Sequence, residues 1–422
     1  MDNQKNNQEK IVDFRKQAVY YTTKAKRFKI LIESVTGCYG SCLGCAFTES
    51  DRMQLKPLIS PDKLPMLFSR LRELLDYDSP EAIVGHYDTT VINFGGSEHF
   101  VYDNAYLGSL FDETAKFFNS VRTKRNVLAF SSSGLLNVDK MEKRSMDMVR
   151  SLHRDQFVVD MVIDLARFDK LKARYQDSFN FFKEKFGFLD LAVNIESFSD
   201  QKDWKAFCEF VDQNGVLNID LVYAVNNNNL HRVPIESQKI FDIYKTVVEN
   251  TNQGKSLFDL QNHLRIKDQS HYDGIEALGF NTLCQETAKS ILQDAIFVDH
   301  DFNVYPVLFV LFADVPLNSR VGNQPIGNLF DSDFKSKFEQ YHHKLYSQLM
   351  RISVTSSQCG DCPIMKSCYQ TGAPLLNPLL NTFKGEKVET FEQCQNPVKH
   401  FILERDKKNG NENLLLREDA IE

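Results

Sequence analysis

The chain has 422 residues, of which 42% are hydrophobic and 25% are charged, and its formal net charge is −7. These values are typical of a globular protein long enough for one large domain and a smaller one. Because the chain has no basic excess, its composition gives no support for a nucleic-acid partner.

In chain order, apolar β-type segments alternate with helical patterns. The first helix is predicted to begin at Ser60 and Pro61, with serine as the N-cap and proline at the first helical position. Six strand–helix alternations favour an α/β fold with a parallel sheet and right-handed crossovers. When such a sheet is curved, it forms a partial barrel. The predicted strands are 28–33, 90–94, 126–130, 156–163, 189–193 and 218–225, and the predicted helices are 60–74, 107–119, 140–153, 178–185, 201–213 and 235–248.

A second region with a different sequence pattern follows the strand–helix alternation. It opens with a β-hairpin that is predicted to turn at residues 299–303, and it contains the second of two cysteine groups. The predicted division of the chain is a polar leader (1–27), a partial barrel (28–235), a helical connector (236–293), a smaller C-terminal domain (294–400) and a polar tail (401–422).

No segment has the pattern of a secretory signal or a membrane span. The leader is polar, and the longest apolar-rich run, residues 304–317, contains Asp314 and two prolines. That run is shorter than the roughly 20 helical residues that cross a bilayer. We therefore expect a cytoplasmic protein with no membrane partner.

Seven of the nine cysteines fall into two groups. In a reducing cytosol, grouped cysteines indicate a metal or cluster site and not disulfides. Cys208 lies in an amphipathic helical pattern and is predicted to be a small core residue, and Cys284 is interpreted in the same way. The groups are Cys38, Cys42 and Cys45, then Cys359, Cys362, Cys368 and Cys394.

The first group has the spacing C-x3-C-x2-C and directly follows the first predicted strand. One loop can place these three thiolates on three irons of a [4Fe–4S] cluster, whereas an ordinary electron-transfer cluster has four protein thiolates. The fourth iron would then be open to another ligand. A zinc site with a distant fourth ligand is the alternative, although zinc sites usually come as paired C-x2-C units.

Two more segments directly follow the second and third predicted strands and should open onto the same face as the cysteines. Gly95 and Gly96 follow the second strand, and two glycines let the backbone approach a ligand closely. Glu98, two residues further on, is either a counter-charge for a bound ammonium group or a helix-start carboxylate favoured by the helix dipole. The third strand is followed by Ser131–Gly134.

The cysteine spacing resembles the signature of radical S-adenosylmethionine enzymes, and the glycine pair resembles that family's glycine-rich segment. The resemblance implies a partial (β/α)6 TIM-like barrel in which S-adenosylmethionine chelates the open iron and is cleaved to a 5′-deoxyadenosyl radical. An electron donor of the flavodoxin or ferredoxin type is also implied. The family usually has an aromatic residue before its third cysteine, whereas this chain has Gly44 there and Phe47 beyond Cys45.

The resemblance also implies which residues contact S-adenosylmethionine. Residues of the glycine segment would bind its methionine part, and polar residues at strand ends would bind its ribose. For each strand-end residue the alternative is a polar side chain that simply begins a loop. The predicted set is Gly95, Gly96, Ser97, Glu98, Ser132, Asn194 and Glu196, with Ser133 and Asp164 as further strand-end candidates.

The second cysteine group, C-x2-C-x5-C plus a remote cysteine, resembles the C-terminal SPASM domain of peptide-modifying radical enzymes. Two cysteines of two-cluster members are replaced by Val307 and Gly372. The resemblance therefore implies one auxiliary [4Fe–4S] cluster, and a zinc site with four thiolates is the alternative. Its ligands would be Cys359, Cys362, Cys368 and Cys394.

The implied activity is hydrogen abstraction from a peptide or protein side chain, leading to oxidation or crosslinking. Two alternatives stay open: a small-molecule or sugar substrate, and a non-catalytic iron–sulfur or zinc-binding interaction protein. No catalytic acid or base is assigned. Tyr39, His99 and Asp88 are candidates because they are predicted to lie near the active face.

Overall fold

The structure is a computed structural model of mixed α/β type, with helices packed along one large sheet. It describes residues 27–40, 53–54, 56–83, 87–94, 98–194, 205–216, 219–222, 295–306 and 325–341, together with 242, 246 and 250–251.

Eleven strands are found in these residues. Nine of them form one sheet, and β2 and β3 form a separate antiparallel pair. The strands are β1 (Arg27–Ile32), β2 (Val35–Thr36), β3 (Lys56–Pro57), β4 (Thr89–Phe94), β5 (Arg125–Ser132), β6 (Phe157–Ile163), β7 (Phe188–Asn194), β8 (Ile219–Val222), β9 (Ala295–Val298), β10 (Asn303–Pro306) and β11 (Gly327–Asn328).

The order in the large sheet is β11-β10-β9-β1-β4-β5-β6-β7-β8. From β9 to β8 all neighbouring strands are parallel, and β10 and β11 are antiparallel additions at one side. Strands that run parallel end at the same edge of the sheet, which we call the carboxyl edge.

Within the described residues, five α-helices pack against the sheet. In α1 the buried residues recur every three or four positions, which gives one apolar stripe toward the sheet. None of the helices in the described part of the chain is long and apolar enough to cross a membrane. The helices are α1 (Leu64–Leu75), α2 (Asn104–Ser120), α3 (Val138–Ser151), α4 (Phe168–Lys185) and α5 (Lys205–Asn214).

The six predicted strands correspond to β1 and to β4 through β8, within two residues at every described end. Residues 223–225 of the last prediction lie outside the described residues, as does most of the predicted helix 235–248. Helix α4 begins at Phe168, ten residues before the predicted start at 178. Its first turns contain few apolar residues, and the stacking of Phe168 on Tyr175 shows that aromatic packing stabilises them.

The predicted hairpin is confirmed, with β9 and β10 antiparallel and the Asp299 N–H donating to the Asn303 carbonyl at 3.0 Å. Strand β9 also pairs in parallel with β1, so the hairpin extends the barrel sheet. On the other side of this region, Arg70 of α1 donates from Nε to the Leu329 carbonyl at 2.9 Å. The start of the predicted C-terminal domain is therefore attached to the barrel by a strand and by a helix.

The two faces of the sheet differ in burial at β6. Along β6 burial alternates strictly, with Phe157, Val159, Met161 and Ile163 buried and the residues between them partly exposed, Asp160 included. A parallel sheet covered on both faces has continuous apolar strands instead. One face of β6 therefore packs on the helices, and the other, which carries Val158, Asp160 and Val162, is less buried.

The apolar face contains a cluster of aromatic rings centred on Phe130 of β5, which is fully buried. Edge-to-face contacts of this kind contribute beyond the apolar area that they bury. The rings within 6.4 Å of Phe130, measured between centroids, are those of His99, Phe100, Phe111, Phe157 and Phe186.

Replacing Phe130 by alanine should lower the free energy of unfolding by about 3–5 kcal/mol, because it leaves a cavity among these rings. Urea denaturation followed by circular dichroism measures the change. The control is Met146→Ala on the exposed side of α3, for which we expect less than about 0.5 kcal/mol. Equal effects of the two substitutions would contradict the assignment of Phe130 to the centre of the core.

Candidate functional site

Four polar or cysteine-containing segments follow strands at the carboxyl edge. Cys38 comes after β1, Glu98 after β4, Ser133 after β5 and Asp164 after β6. Ligands of open α/β sheets and barrels bind at this edge, because loops from neighbouring strands meet there. These segments therefore form the candidate site.

The cysteine loop (residues 37–45, of which 37–40 are described) begins with a left-handed turn at Gly37, whose φ of 106° favours glycine. Cys38 is half-buried, and the Gly40 N–H donates to its Sγ atom at 3.2 Å. Backbone hydrogen bonds of this kind stabilise a thiolate and tune cluster potentials. The side chain of Cys38 thus fits the role of a cluster ligand.

Glu98 lies beneath the carboxyl edge, with 1% of its surface exposed. Its carboxylate accepts hydrogen bonds from Ser133 N and Oγ at 2.7 Å each and from Ser132 Oγ at 3.0 Å. It also caps the short helix His99–Val101 by accepting from Phe100 N at 3.4 Å, so the helix-start interpretation is confirmed. Burial raises the pKa of the Glu98 carboxyl, and the serine hydrogen bonds only partly oppose this.

The backbone of Glu98 contacts the cysteine loop. Its N–H donates to the Gly37 carbonyl at 3.0 Å, one residue before Cys38. Glu98 therefore connects three strand-end segments: the one after β1 through its backbone, its own after β4, and the one after β5 through its side chain.

Asp164 follows β6 and is also buried, with 1% exposure. Its Oδ2 atom pairs with Arg167 Nε at 2.6 Å, and its N–H donates to the Tyr175 hydroxyl at 3.0 Å. Oδ1 has no hydrogen-bond partner within the described ranges. A ribose hydroxyl could bind to such an oxygen, and this role of Asp164 stays a prediction.

The three candidates for an active-face acid or base are placed differently. Tyr39 is 52% exposed in the cysteine loop. His99 is fully buried, with Nε2 3.3 Å from Ser34 Oγ, and it packs against Phe94. Asp88 precedes β4 and pairs with Lys124 at the opposite edge of the sheet, so its predicted position at the active face is wrong.

Several predicted site residues lie outside the described residues. Asn194 ends β7 at the carboxyl edge, as predicted, but its side chain is not described. In the described part of the chain, no three His, Cys, Asp or Glu residues form a possible metal site. The predicted residues outside it are Cys42, Cys45, Cys359, Cys362, Cys368, Cys394, Gly95, Gly96, Ser97 and Glu196.

A carboxylate–imidazole pair at the carboxyl edge was not predicted from the sequence. Glu33 directly follows β1, and its Oε2 atom lies 2.8 Å from Nδ1 of His300 in the turn after β9. The Glu33 N–H donates to the Val298 carbonyl at 2.9 Å, which fixes the two segments together. The parallel pairing of β1 and β9, once known, places these two residues side by side.

Partial burial lowers the pKa of His300, but the hydrogen bond and charge of Glu33 raise it by more, and Asp301 and Asp299 add to the effect. The net pKa is above the ordinary value of about 6.5. A raised pKa means that the pair stabilises the fold below the unfolded-state pKa, and that this contribution is lost as pH rises through the folded-state pKa.

Comparison with known proteins gives structural matches only. No protein-family model matches the chain, and no curated protein sequence matches it. Native anSMEcpe with bound AdoMet matches with a TM-score of 0.57 at 14% identity, over 92% of this chain and 99% of that chain. The same enzyme with AdoMet and the Cp18Cys peptide gives 0.56 at 12% identity, over 92% and 99%, and its histidine-tagged form gives 0.55 at 13%, over 91% and 98%.

These matches establish the fold. The enzyme anSMEcpe is an anaerobic sulfatase-maturating enzyme of the radical S-adenosylmethionine, SPASM type. The chain has a mixed α/β fold of the partial TIM-like type, similar to that of this enzyme over 92% of this chain and 99% of that chain. The fold class predicted from the sequence is confirmed.

Replacing Glu33 by glutamine should lower the pKa of His300, because the amide keeps the shape of the side chain and removes its charge. The pH titration of the His300 imidazole signals in the NMR spectrum measures the shift. Glu73→Gln on α1 is the matched control, since that carboxylate pairs with Arg70 and should leave the titration unchanged. A His300 pKa that is the same in both variants would contradict the pair.

Proposed function

We propose that the protein is a radical S-adenosylmethionine enzyme that abstracts hydrogen from a peptide or protein side chain. The observation that carries the proposal is the joining of the cysteine loop to the segments after β4 and β5 at the carboxyl edge, through Glu98 and Gly37. The full-length structural likeness to an enzyme with bound AdoMet supports the same interpretation.

Cys38, Cys42 and Cys45 would hold a [4Fe–4S] cluster with one iron left for S-adenosylmethionine. When bound, this pair supplies a 5′-deoxyadenosyl radical, the cofactor's own chemistry. The protein's contribution is to keep the thiolate of Cys38 hydrogen-bonded to the Gly40 N–H and to fix the loop beside Glu98. The glycine pair Gly95–Gly96 would allow close approach of the methionine part, with Ser97 beside it.

The chain also provides strand-end polar residues and an apolar support behind them. Asp160 lies on the less buried face of β6, Asp164 follows β6, and Asn194 ends β7 at the carboxyl edge. These strand ends, with Glu196, would orient the ribose. Behind them the aromatic cluster around Phe130 keeps the sheet rigid, so that the strand ends stay in position.

In the C-terminal part, Cys359, Cys362, Cys368 and Cys394 would hold one auxiliary [4Fe–4S] cluster, with zinc as the alternative metal. Four thiolates satisfy a cluster completely, so this site would serve electron transfer or substrate positioning. An external donor of the flavodoxin or ferredoxin type would supply the reducing electron. A cytoplasmic location suits such oxygen-sensitive groups.

A peptide substrate is favoured because a structure of anSMEcpe holds the Cp18Cys peptide together with AdoMet. Modification of a small molecule or sugar is the second candidate for this chain. The two differ in the expected product: a changed mass on a co-expressed peptide supports the first, and turnover of a small molecule with no change in any peptide supports the second. A non-catalytic binding protein would form neither product.

With S-adenosylmethionine and a strong reductant in the absence of oxygen, the protein should release 5′-deoxyadenosine, and Cys38→Ala should abolish the release. The variant should also lose about four of about eight irons, because only the first cluster loses a ligand. Chromatography of the nucleoside and iron and zinc analysis measure both effects.

The matched control is Cys208→Ala, which removes a buried cysteine of α5 that is distant in sequence from both groups and should keep all the iron. Release of 5′-deoxyadenosine by Cys38→Ala at the wild-type rate would contradict the proposed cluster. About four irons and one zinc in the wild type would assign zinc to the C-terminal site and leave the first cluster unaffected.

A further inference from the structure

We infer that Glu98 is a positioning residue, which holds the loops of the cofactor site together and does not supply the counter-charge for the cofactor's ammonium group. The inference deepens the proposed function, on which it rests. It differs from the counter-charge role that the sequence left open for Glu98.

The carboxylate of Glu98 is saturated with hydrogen bonds. Ser132 Oγ, Ser133 Oγ and N, and Phe100 N all donate to its two oxygens, at 2.7–3.4 Å. A carboxylate has about four lone-pair sites, so these four donors use its accepting capacity. An added ammonium group would have to displace one of them.

The carboxylate of Glu98 lies on the helix side of the sheet. Ser132 occupies the same face of β5 as Leu128 and Phe130, which are fully buried on the helix side of the sheet. Glu98 bonds to Ser132 and to the N–H of Phe100, whose ring contacts the Phe130 ring, and is itself 1% exposed. The carboxylate is thus embedded on the packed, helix side of the sheet.

Glu98 also connects separate loops of the candidate site. Through its side chain Glu98 fixes the start of the loop after β5, and through its N–H it fixes Gly37, which adjoins Cys38. Loops that carry different parts of one site need such support, because a site is only as precise as the residues that hold it.

Two substitutions of Glu98 distinguish a positioning role from a counter-charge role. Glu98→Ala removes every acceptor, so the KM for S-adenosylmethionine should rise by about tenfold or more, with a smaller change in kcat. Glu98→Gln keeps an oxygen for Ser133 N and Oγ, and its amide can donate to the Ser132 hydroxyl. This variant should therefore recover the KM to within about threefold of wild type.

A counter-charge would behave differently, because glutamine lacks the charge. Equal increases of KM in the alanine and glutamine variants would overturn the inference, and so would a wild-type KM in Glu98→Ala. The control is Asp103→Ala, which removes an exposed carboxylate that caps α2 by accepting from Tyr106 N at 2.8 Å. It should leave the KM unchanged, since the Asp103 carboxylate bonds to the first turn of α2 and not to Gly37, Ser132 or Ser133.

A second readout does not depend on the cofactor. In the metal-free protein, amide hydrogen exchange at Ser133 and Phe100 should be at least about tenfold faster in Glu98→Ala, and close to wild type in Asp103→Ala. Unchanged exchange in Glu98→Ala would overturn the inference. If wild type neither binds S-adenosylmethionine nor releases 5′-deoxyadenosine, the proposed function fails, and the exchange experiment still decides whether Glu98 holds the loops.

Discussion

Parallel pairing of β1, β4 and β5 is the constraint on which the candidate site depends. Ile32 pairs with Phe94, and Phe94 pairs with Phe130, so the three strands reach the carboxyl edge in register. Neighbouring strands are about 4.8 Å apart, so the segments that follow them start within hydrogen-bond reach of one another. The bonds from Glu98 to Gly37 and Ser133 are the direct result.

The same pairing gives the sheet two different faces: one packs on the helices, and the other is less buried. On one face Ile30, Ile92 and Leu128 are fully buried and in register, and they pack with the helices. The opposite face of β6 keeps partly exposed residues, Asp160 among them. A well-packed apolar side and a less buried side suit a ligand site, because the first fixes the geometry that the second uses.

Local sequence signals predicted the strands and most helices because their apolar periods are clear. The start of α4 was missed although Phe168, Leu171 and Tyr175 recur at helical spacing, because most of the residues between them are charged and the apolar pattern there is sparse. The pairing of β9 with β1, and with it the Glu33–His300 pair, joins residues 267 positions apart. Long-range pairing of this kind follows from topology, and the sequence pattern carries no signal for it.

In the candidate site, too, some features were predictable from the sequence and others required the structure. The positions of Cys38 and Glu98 at strand ends were predictable because loops after parallel strands share an edge. Asp88 was misplaced because a residue just before a strand and a residue just after one look alike in composition, yet lie at opposite edges. The hydrogen bonds that saturate Glu98 required the structure, since Ser132 and Ser133 are ordinary loop-start residues in the sequence.

The central claim is that one iron of a cluster held by Cys38, Cys42 and Cys45 is open to S-adenosylmethionine. Electron paramagnetic resonance of the reduced protein, reconstituted without oxygen, tests it most directly. Adding S-adenosylmethionine should change the g-values of the [4Fe–4S]⁺ signal that Cys38→Ala lacks, because a new ligand binds the open iron. A wild-type signal of which S-adenosylmethionine changes no component, or a signal in Cys38→Ala as large as in wild type, would contradict this claim, whereas a smaller signal from the auxiliary cluster is expected in the variant.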